Sequence, residues 1–167
     1  MQQEVSVQVH DIIGMTSREI EPSQYLRPDG SIVMLFRDQK SSFRKLAAVS
    51  TDQGASWTKP ALTDYLDGRT KQCAGNLPDG TAFMISCPSG SKERWPLVLQ
   101  LSTDGVMFPQ AITLRTKEQL PPRRYDGKYK TLGYSYPKAL YHNGHLYITY
   151  STNKEDVELS IVMVSEL

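Results

Sequence analysis

No window of this sequence is long and apolar enough to span a bilayer, and helical periodicity is almost absent. Those two absences argue against a membrane bundle or a helical domain. Met1-Gln2-Gln3-Glu4 lacks the basic start and apolar stretch of a secretory signal, so the chain as it stands is expected to be soluble, with no membrane partner. Charge of one sign is missing too. With 19 Lys and Arg against 18 Asp and Glu in 167 residues, the net charge is +1, and nothing points to nucleic acid. Cysteine and histidine are scarce, at two and three residues. Cys73 and Cys87 flank one predicted hairpin; a bridge between them is open, although composition favours buried reduced thiols. His142 and His145 flank an Asn-Gly turn and His10 stands apart, so there is no ligand cluster, and neither a metal nor a cofactor is expected.

What the sequence does contain is a series of turns. Asp29-Gly30, Asp79-Gly80 and Asn143-Gly144 precede the apolar runs Ile32–Phe36, Ala82–Ile85 and Leu146–Tyr150, and Asp-Gly or Asn-Gly between apolar runs is a strong hairpin signal. Further runs rich in β-branched and apolar residues, Val5–Val9, Lys45–Val49, Leu97–Leu101 and Leu159–Val164, complete an all-β reading. A longer pattern is superimposed on these. Ser50-Thr51-Asp52-Gln53-Gly54-Ala55-Ser56-Trp57 recurs about fifty residues later as Ser102-Thr103-Asp104-Gly105-Val106-Met107-Phe108, one residue shorter and with Phe108 in the tryptophan's place. The Asp52 carboxylate can accept from nearby backbone N–H groups, Gly54 can take a positive φ, and Trp57 can pack beneath the turn. Such a turn stabilises a hairpin and does not meet substrate.

The Ser-x-Asp-x-Gly-x-x-Trp pattern resembles the Asp box of sialidase-type propellers built from BNR repeats. With three hairpin signals, the resemblance implies about three four-stranded blades, near residues 1–60, 61–115 and 116–167, half of a six-bladed ring. Nearly the whole chain is similar to the C-terminal half of a retaining exo-sialidase. Ile20-Glu21-Pro22-Ser23-Gln24-Tyr25-Leu26 resembles the segment carrying the glutamate that assists the nucleophile, which puts that role on Glu21. Met34-Leu35-Phe36-Arg37 and Arg94-Trp95-Pro96-Leu97 resemble the segments bearing the second and third arginines of the carboxylate clamp, and Gly133-Tyr134-Ser135-Tyr136-Pro137 the Tyr-Ser motif, which puts the nucleophile on Tyr134. The implied ligand is sialic acid or a related acidic sugar, whose carboxylate suits the planar fork of arginine and would repel an anionic nucleophile, though not a neutral phenol.

Departures from the family pattern count as well. Its first arginine, in an Arg-Ile-Pro type motif, and its aspartate acid/base have no match here, so the chain is expected to be inactive without further blades. Taken by themselves, Arg37 and Arg94 also fit solvated surface arginines, Tyr134 a packed strand tyrosine, and Glu21 a solvated carboxylate. A non-catalytic module that binds acidic glycans or a partner chain is the alternative. The basic, aromatic stretch Arg115–Lys130, with Arg124 and Tyr125, leads directly into Tyr134 and is a further candidate for substrate contact. Closed propellers have about four to eight blades, so three would leave open faces. The expectation is therefore a homo-oligomer, or completion by N-terminal blades; a clean monomer by light scattering at micromolar concentration would overturn association of the chain with itself.

Overall fold

The computed structural model describes residues 4–7 and 18–167. Within the expected run Val5–Val9, residues 5–7 carry no regular structure; the rest of it, like His10, lies outside the described residues. Eleven strands follow: β1 (Glu19–Leu26), β2 (Ile32–Asp38), β3 (Arg44–Ser50), β4 (Ala61–Leu66), β5 (Cys73–Asn76), β6 (Ala82–Ser86), β7 (Leu97–Ser102), β8 (Gln110–Arg115), β9 (Tyr134–His142), β10 (His145–Thr152) and β11 (Asp156–Met163). They form three antiparallel meanders in the orders β1-β2-β3-β4, β5-β6-β7-β8 and β9-β10-β11. The fold is thus all-β with three blades, the third having three strands rather than four among the described residues. The division expected at residue 60 is also corrected: the turn at 51–60 joins β3 to β4 within one sheet, so β4 closes the first blade. Among the described residues no helix is long and apolar enough to cross a membrane.

The first strands of the blades converge. β1 lies beside β5, with Ala74 N donating to Ser23 Oγ at 2.6 Å and Leu26 N to Asn76 Oδ1 at 2.8 Å, and β5 approaches β9. Facing sheets then bury their alternate residues against each other. Tyr25, Val33 and Leu35 of the first blade pack on Ala82 and Met84 of the second. The second blade's other face, with Phe83, Ile85, Leu99 and Leu101, packs on Leu146, Ile148 and Tyr150 of the third. Each such side chain contributes about 1.5–3 kcal/mol by leaving water. The third blade's far face is bare: Val157 is 81% exposed and Leu140 67% exposed. Cys73 and Cys87 are free thiols, and burial pushes the Cys87 pKa up to about 12.

Both Asp boxes close as their residue types dictate. In the first, Ser50 Oγ donates to Asp52 Oδ1 at 2.8 Å, Ser56 N donates to the same oxygen at 2.8 Å, and Gly54, at φ +90°, donates its N–H to Ser50 Oγ. Trp57 Nε1 donates to Gly54 O at 3.1 Å while the indole packs on Phe36, Leu46 and Ala48. The second box reaches across blades. Its Gly105 carbonyl accepts from Tyr25 Oη at 2.8 Å, and Phe108 sits edge-on to both Tyr25 and Tyr65.

One polar group is buried where apolar contact would be expected. Lys45 of β3 is fully buried, and its ammonium donates to Asp67 Oδ1 at 2.7 Å, Thr70 O at 3.0 Å and Gln72 Oε1 at 3.0 Å. Three donors meet three acceptors. Burial lowers its pKa and the adjacent Asp67 charge opposes that fall. Because removing one partner strands a buried charge, Lys45→Ala is expected to destabilise the chain by about 3–5 kcal/mol in urea unfolding, against near neutrality for an exposed lysine such as Lys59.

Candidate active site

The innermost strands of the first and third blades carry the same irregularity. In β1 the pairing with β2 slips between Ile20 and Ser23, so that Glu21 and Pro22 oppose a single residue, and Glu21 has φ +56°. In β9 the pairing with β10 slips in the same way, Tyr136 and Pro137 oppose a single residue, and Tyr136 has φ +56°. A left-handed non-glycine residue costs about 1–3 kcal/mol, and bulges of this kind re-aim a side chain. Glu21 and Tyr136 are therefore structural equivalents, each followed by proline.

Arg37 and Arg94 stand between them. Arg37, near the end of β2, donates Nη1 to Glu21 Oε2 at 3.2 Å, and its Nε is buried without a hydrogen-bond partner among the described residues. Arg94 lies in the β6–β7 connection; it forms a parallel bridge to Gly133, and its carbonyl accepts from Tyr134 N at 2.8 Å. Its Nη1 donates to Ser135 Oγ at 2.7 Å. Burial lowers the Arg94 pKa, the neighbouring Arg37 charge lowers it further, and Tyr136, Cys87 and Glu21 oppose both effects, so these groups share one electrostatic environment. Arg37 and Arg94 also line a cleft of about 170 Å³ together with Gly68, Arg69, Lys92 and Thr131.

The backbone of this region is held from below. Gln72 is fully buried: it accepts from Lys45 through Oε1, and its Nε2 donates at 3.0 Å to the carbonyls of both Glu21 and Leu35. The buried lysine is thus connected to the bulge that presents Glu21.

Tyr134, the tyrosine singled out from the sequence, is placed differently. It is 1% exposed, lies edge-on to Tyr150 and donates Oη to Thr116 O at 2.9 Å; burial pushes its pKa up to about 12. It is a core residue, whereas Tyr136 is 43% exposed and is the tyrosine whose charge bears on the Arg94 guanidinium. The signal for this was in the sequence as the parallel between Glu21-Pro22 and Tyr136-Pro137. Arg124 and Tyr125 do not line the cleft. Arg124 is ion-paired to Asp156 at 2.6 Å and Glu155 at 3.6 Å, with its guanidinium beside the Tyr125 ring. Sequence reasoning missed Arg69 and Lys92, which sit in connections between strands and belong to no recognisable pattern. The Asp-box residues Ser50, Asp52, Gly54 and Trp57 lie at the opposite end of the first blade, since Ser50 pairs with Ile32. A larger groove of about 680 Å³ at that end, between the Asp29-Gly30 and Asp79-Gly80 turns, has its cation Arg27 already bonded to Gly105 O. Among the described residues, no group of three or more His, Cys, Asp and Glu side chains is arranged to hold a metal.

Blades of this pattern, with their Asp boxes, define a sialidase-type propeller architecture. The chain belongs to the BNR repeat-like domain family, whose model matches residues 2–148. No curated protein matches it in sequence. Among solved structures it is similar to a sialidase at 29% identity and TM-score 0.69, covering 84% of this chain and 13% of that one. It is also similar to a leech intramolecular trans-sialidase complexed with 2,7-anhydro-Neu5Ac, at 17% identity and TM-score 0.70, covering 96% of this chain and 26% of that one. A protein of unknown function from Dyadobacter fermentans matches at 18% identity and TM-score 0.57, covering 84% and 36%. The chain spans well under half the length of each, and its three blades are a partial propeller.

Glu155 fixes the long β8–β9 connection beside the site. The Arg124 N–H bond chiefly lowers its pKa to about 2, burial opposes, and the Tyr125 N–H and Lys130 assist. A folded pKa below the ordinary 4.5 means that its stabilising effect is complete above that pH and lost as pH falls towards 2. The Arg124 and Tyr125 amide resonances are expected to titrate by NMR near the lower value, and Glu155→Gln to abolish that titration.

Proposed function

We propose that this chain supplies one side of a sialidase-like exo-glycosidase site, in which Arg37 and Arg94 clamp the carboxylate of a terminal acidic sugar, Tyr136 is the nucleophile and Glu21 is its base. The observation that carries the reading is the pair of equivalent left-handed bulges, which carry a carboxylate and a phenol whose charges both bear on the half-buried Arg94, beside Arg37.

The chemistry follows from charge. Sialic acid bears its carboxylate on the anomeric carbon, and a guanidinium can hold it through two charge-assisted bonds. Glu21 now occupies Arg37, so an arriving carboxylate competes for that guanidinium and frees Glu21 to act elsewhere. The Tyr136 oxygen then attacks the anomeric carbon as the bond to the aglycone oxygen breaks, and Glu21 takes the phenol's proton. The departing oxygen needs a proton from an acid on the opposite face, a residue not among those assigned here. In a second displacement water attacks the anomeric carbon while the conjugate base of that unassigned acid takes its proton, and the bond to the tyrosine oxygen breaks as Glu21 returns its proton to the phenol. A neutral phenol avoids the repulsion that an anionic nucleophile would meet beside the sugar carboxylate.

A second reading, recognition of acidic glycans without turnover, is favoured by the Arg37–Glu21 ion pair, which engages the base with an arginine rather than with the phenol. Aryl-sialoside hydrolysis separates the two when it is measured on the chain assembled with blades that supply the acid and the first arginine. Catalysis predicts turnover by that assembly, lowered about 100-fold or more by Tyr136→Phe, whereas Tyr134→Phe acts only through stability. Recognition alone predicts no turnover by the same assembly, with sialic acid binding weakened about tenfold or more by Arg37→Ala or Arg94→Ala. Neither turnover nor binding would overturn both readings.

A further inference from the structure

The cleft holds more positive charge than one carboxylate needs. Arg69 lies in the β4–β5 connection at φ +53°, a left-handed conformation for a side chain that gains nothing from it locally. The loop is forced into this shape on both sides. Asp67 and Thr70 are tied to the buried Lys45 ammonium, and Gly68 is packed so closely that a Cβ would collide with the carbonyl oxygens of Glu93 and Cys87. Arg69 Nη2 donates to Gln39 O at 3.2 Å, but among the described residues its Nε is buried with no hydrogen-bond partner, as is that of Arg37. A buried donor left unpaired costs about 1–3 kcal/mol, and more when charged. Arg37, Arg69, Lys92 and Arg94 all line this space of about 170 Å³, and no carboxylate of the described residues lines it. Glu21 offsets the charge of Arg37, and the remaining like charges repel one another until a further anion enters.

The four cations divide by position. Arg37 and Arg94 are bonded to groups on the innermost strands, Glu21 and Ser135, whereas Arg69 and Lys92 come from connections outside those strands. We infer that the cleft takes a ligand with two anionic groups: an acidic saccharide whose sugar carboxylate engages Arg37 and Arg94, and whose second carboxylate or sulfate engages Arg69, assisted by Lys92. Arg69 is the residue that selects for the second group. This rests on the proposed function only in placing the first carboxylate at Arg37 and Arg94.

Calorimetric titration of the 167-residue chain tests it with three probes: N-acetylneuraminic acid, its α2,8-linked dimer, and a monosulfated N-acetylneuraminic acid. At low salt, at least one dianionic probe is expected to bind about tenfold or more tightly than the monoanion, and whichever gains identifies the second group as carboxylate or sulfate. Arg69→Ala is expected to remove that gain while leaving monoanion affinity within about twofold, with Arg69→Lys intermediate because it keeps the charge and loses the fork. Thermal melts of both variants establish that the loop still folds. Equal affinity for all three probes, or a loss in Arg69→Ala that falls equally on mono- and dianion, overturns the second subsite and leaves the carboxylate clamp standing. No binding of any probe overturns the clamp and, with it, this inference.

Discussion

A single buried ammonium joins the fold of this chain to its candidate site. Lys45 enters the interior from β3 and is accepted only because Asp67, Thr70 and Gln72 converge on its three protons. Those residues belong to the connection that carries the chain from the first blade to the second, so the network that satisfies the charge also sets the path of that connection. Gln72 passes the constraint inward by holding the carbonyls of Glu21 and Leu35. In a low-dielectric interior such a network is costly when incomplete and specific when complete. Blade spacing, the left-handed Glu21 and the placement of Arg69 are therefore parts of one polar arrangement.

Apolar packing supplies adhesion around this polar centre, and the second Asp box adds direction. Two sheets in face-to-face contact can slide; the Gly105 carbonyl receiving Tyr25 Oη and Arg27 Nε, with Phe108 wedged between Tyr25 and Tyr65, fixes the outer register of the first and second blades. Between the second and third blades, Arg94 does the equivalent work through its bridge to Gly133, where any Cβ would strike the Arg94 backbone. A residue proposed to hold ligand is thereby also a seam between blades, and its guanidinium inherits the rigidity of both.

The scaffold was legible in the sequence because its signals are local. Asp29-Gly30, Asp79-Gly80 and Asn143-Gly144 act through the φ of one or two residues, and the Asp boxes close through side chains a few positions apart. The site was less legible where geometry depends on a break in periodicity. In an unbroken strand Tyr134 and Tyr136 would share a face, and choosing between them would be arbitrary. The bulge at Tyr136-Pro137 separates them, leaving Tyr134 in the core and Tyr136 exposed. Arg94 was legible only through the resemblance of Arg94-Trp95-Pro96-Leu97, because it reaches the cleft from the β6–β7 connection, which carries no strand periodicity. Arg124 looked available in the sequence because its neutralising partners, Glu155 and Asp156, lie about thirty positions away, and Lys45 read as an ordinary strand residue because its partner Asp67 is just as invisible to local inspection.

The matched bulges also bear on how such a protein can change over time. The first and third blades present a carboxylate and a phenol from the same backbone socket, while the middle blade, whose β5 pairs with β6 in unbroken register, has none. A blade copied within a gene carries its socket with it, and the side chain placed there, outside the buried core, is not fixed by apolar packing. New chemistry then requires a change of one codon at a position the fold does not use, while the hairpins and boxes that hold the blade stay under separate selection.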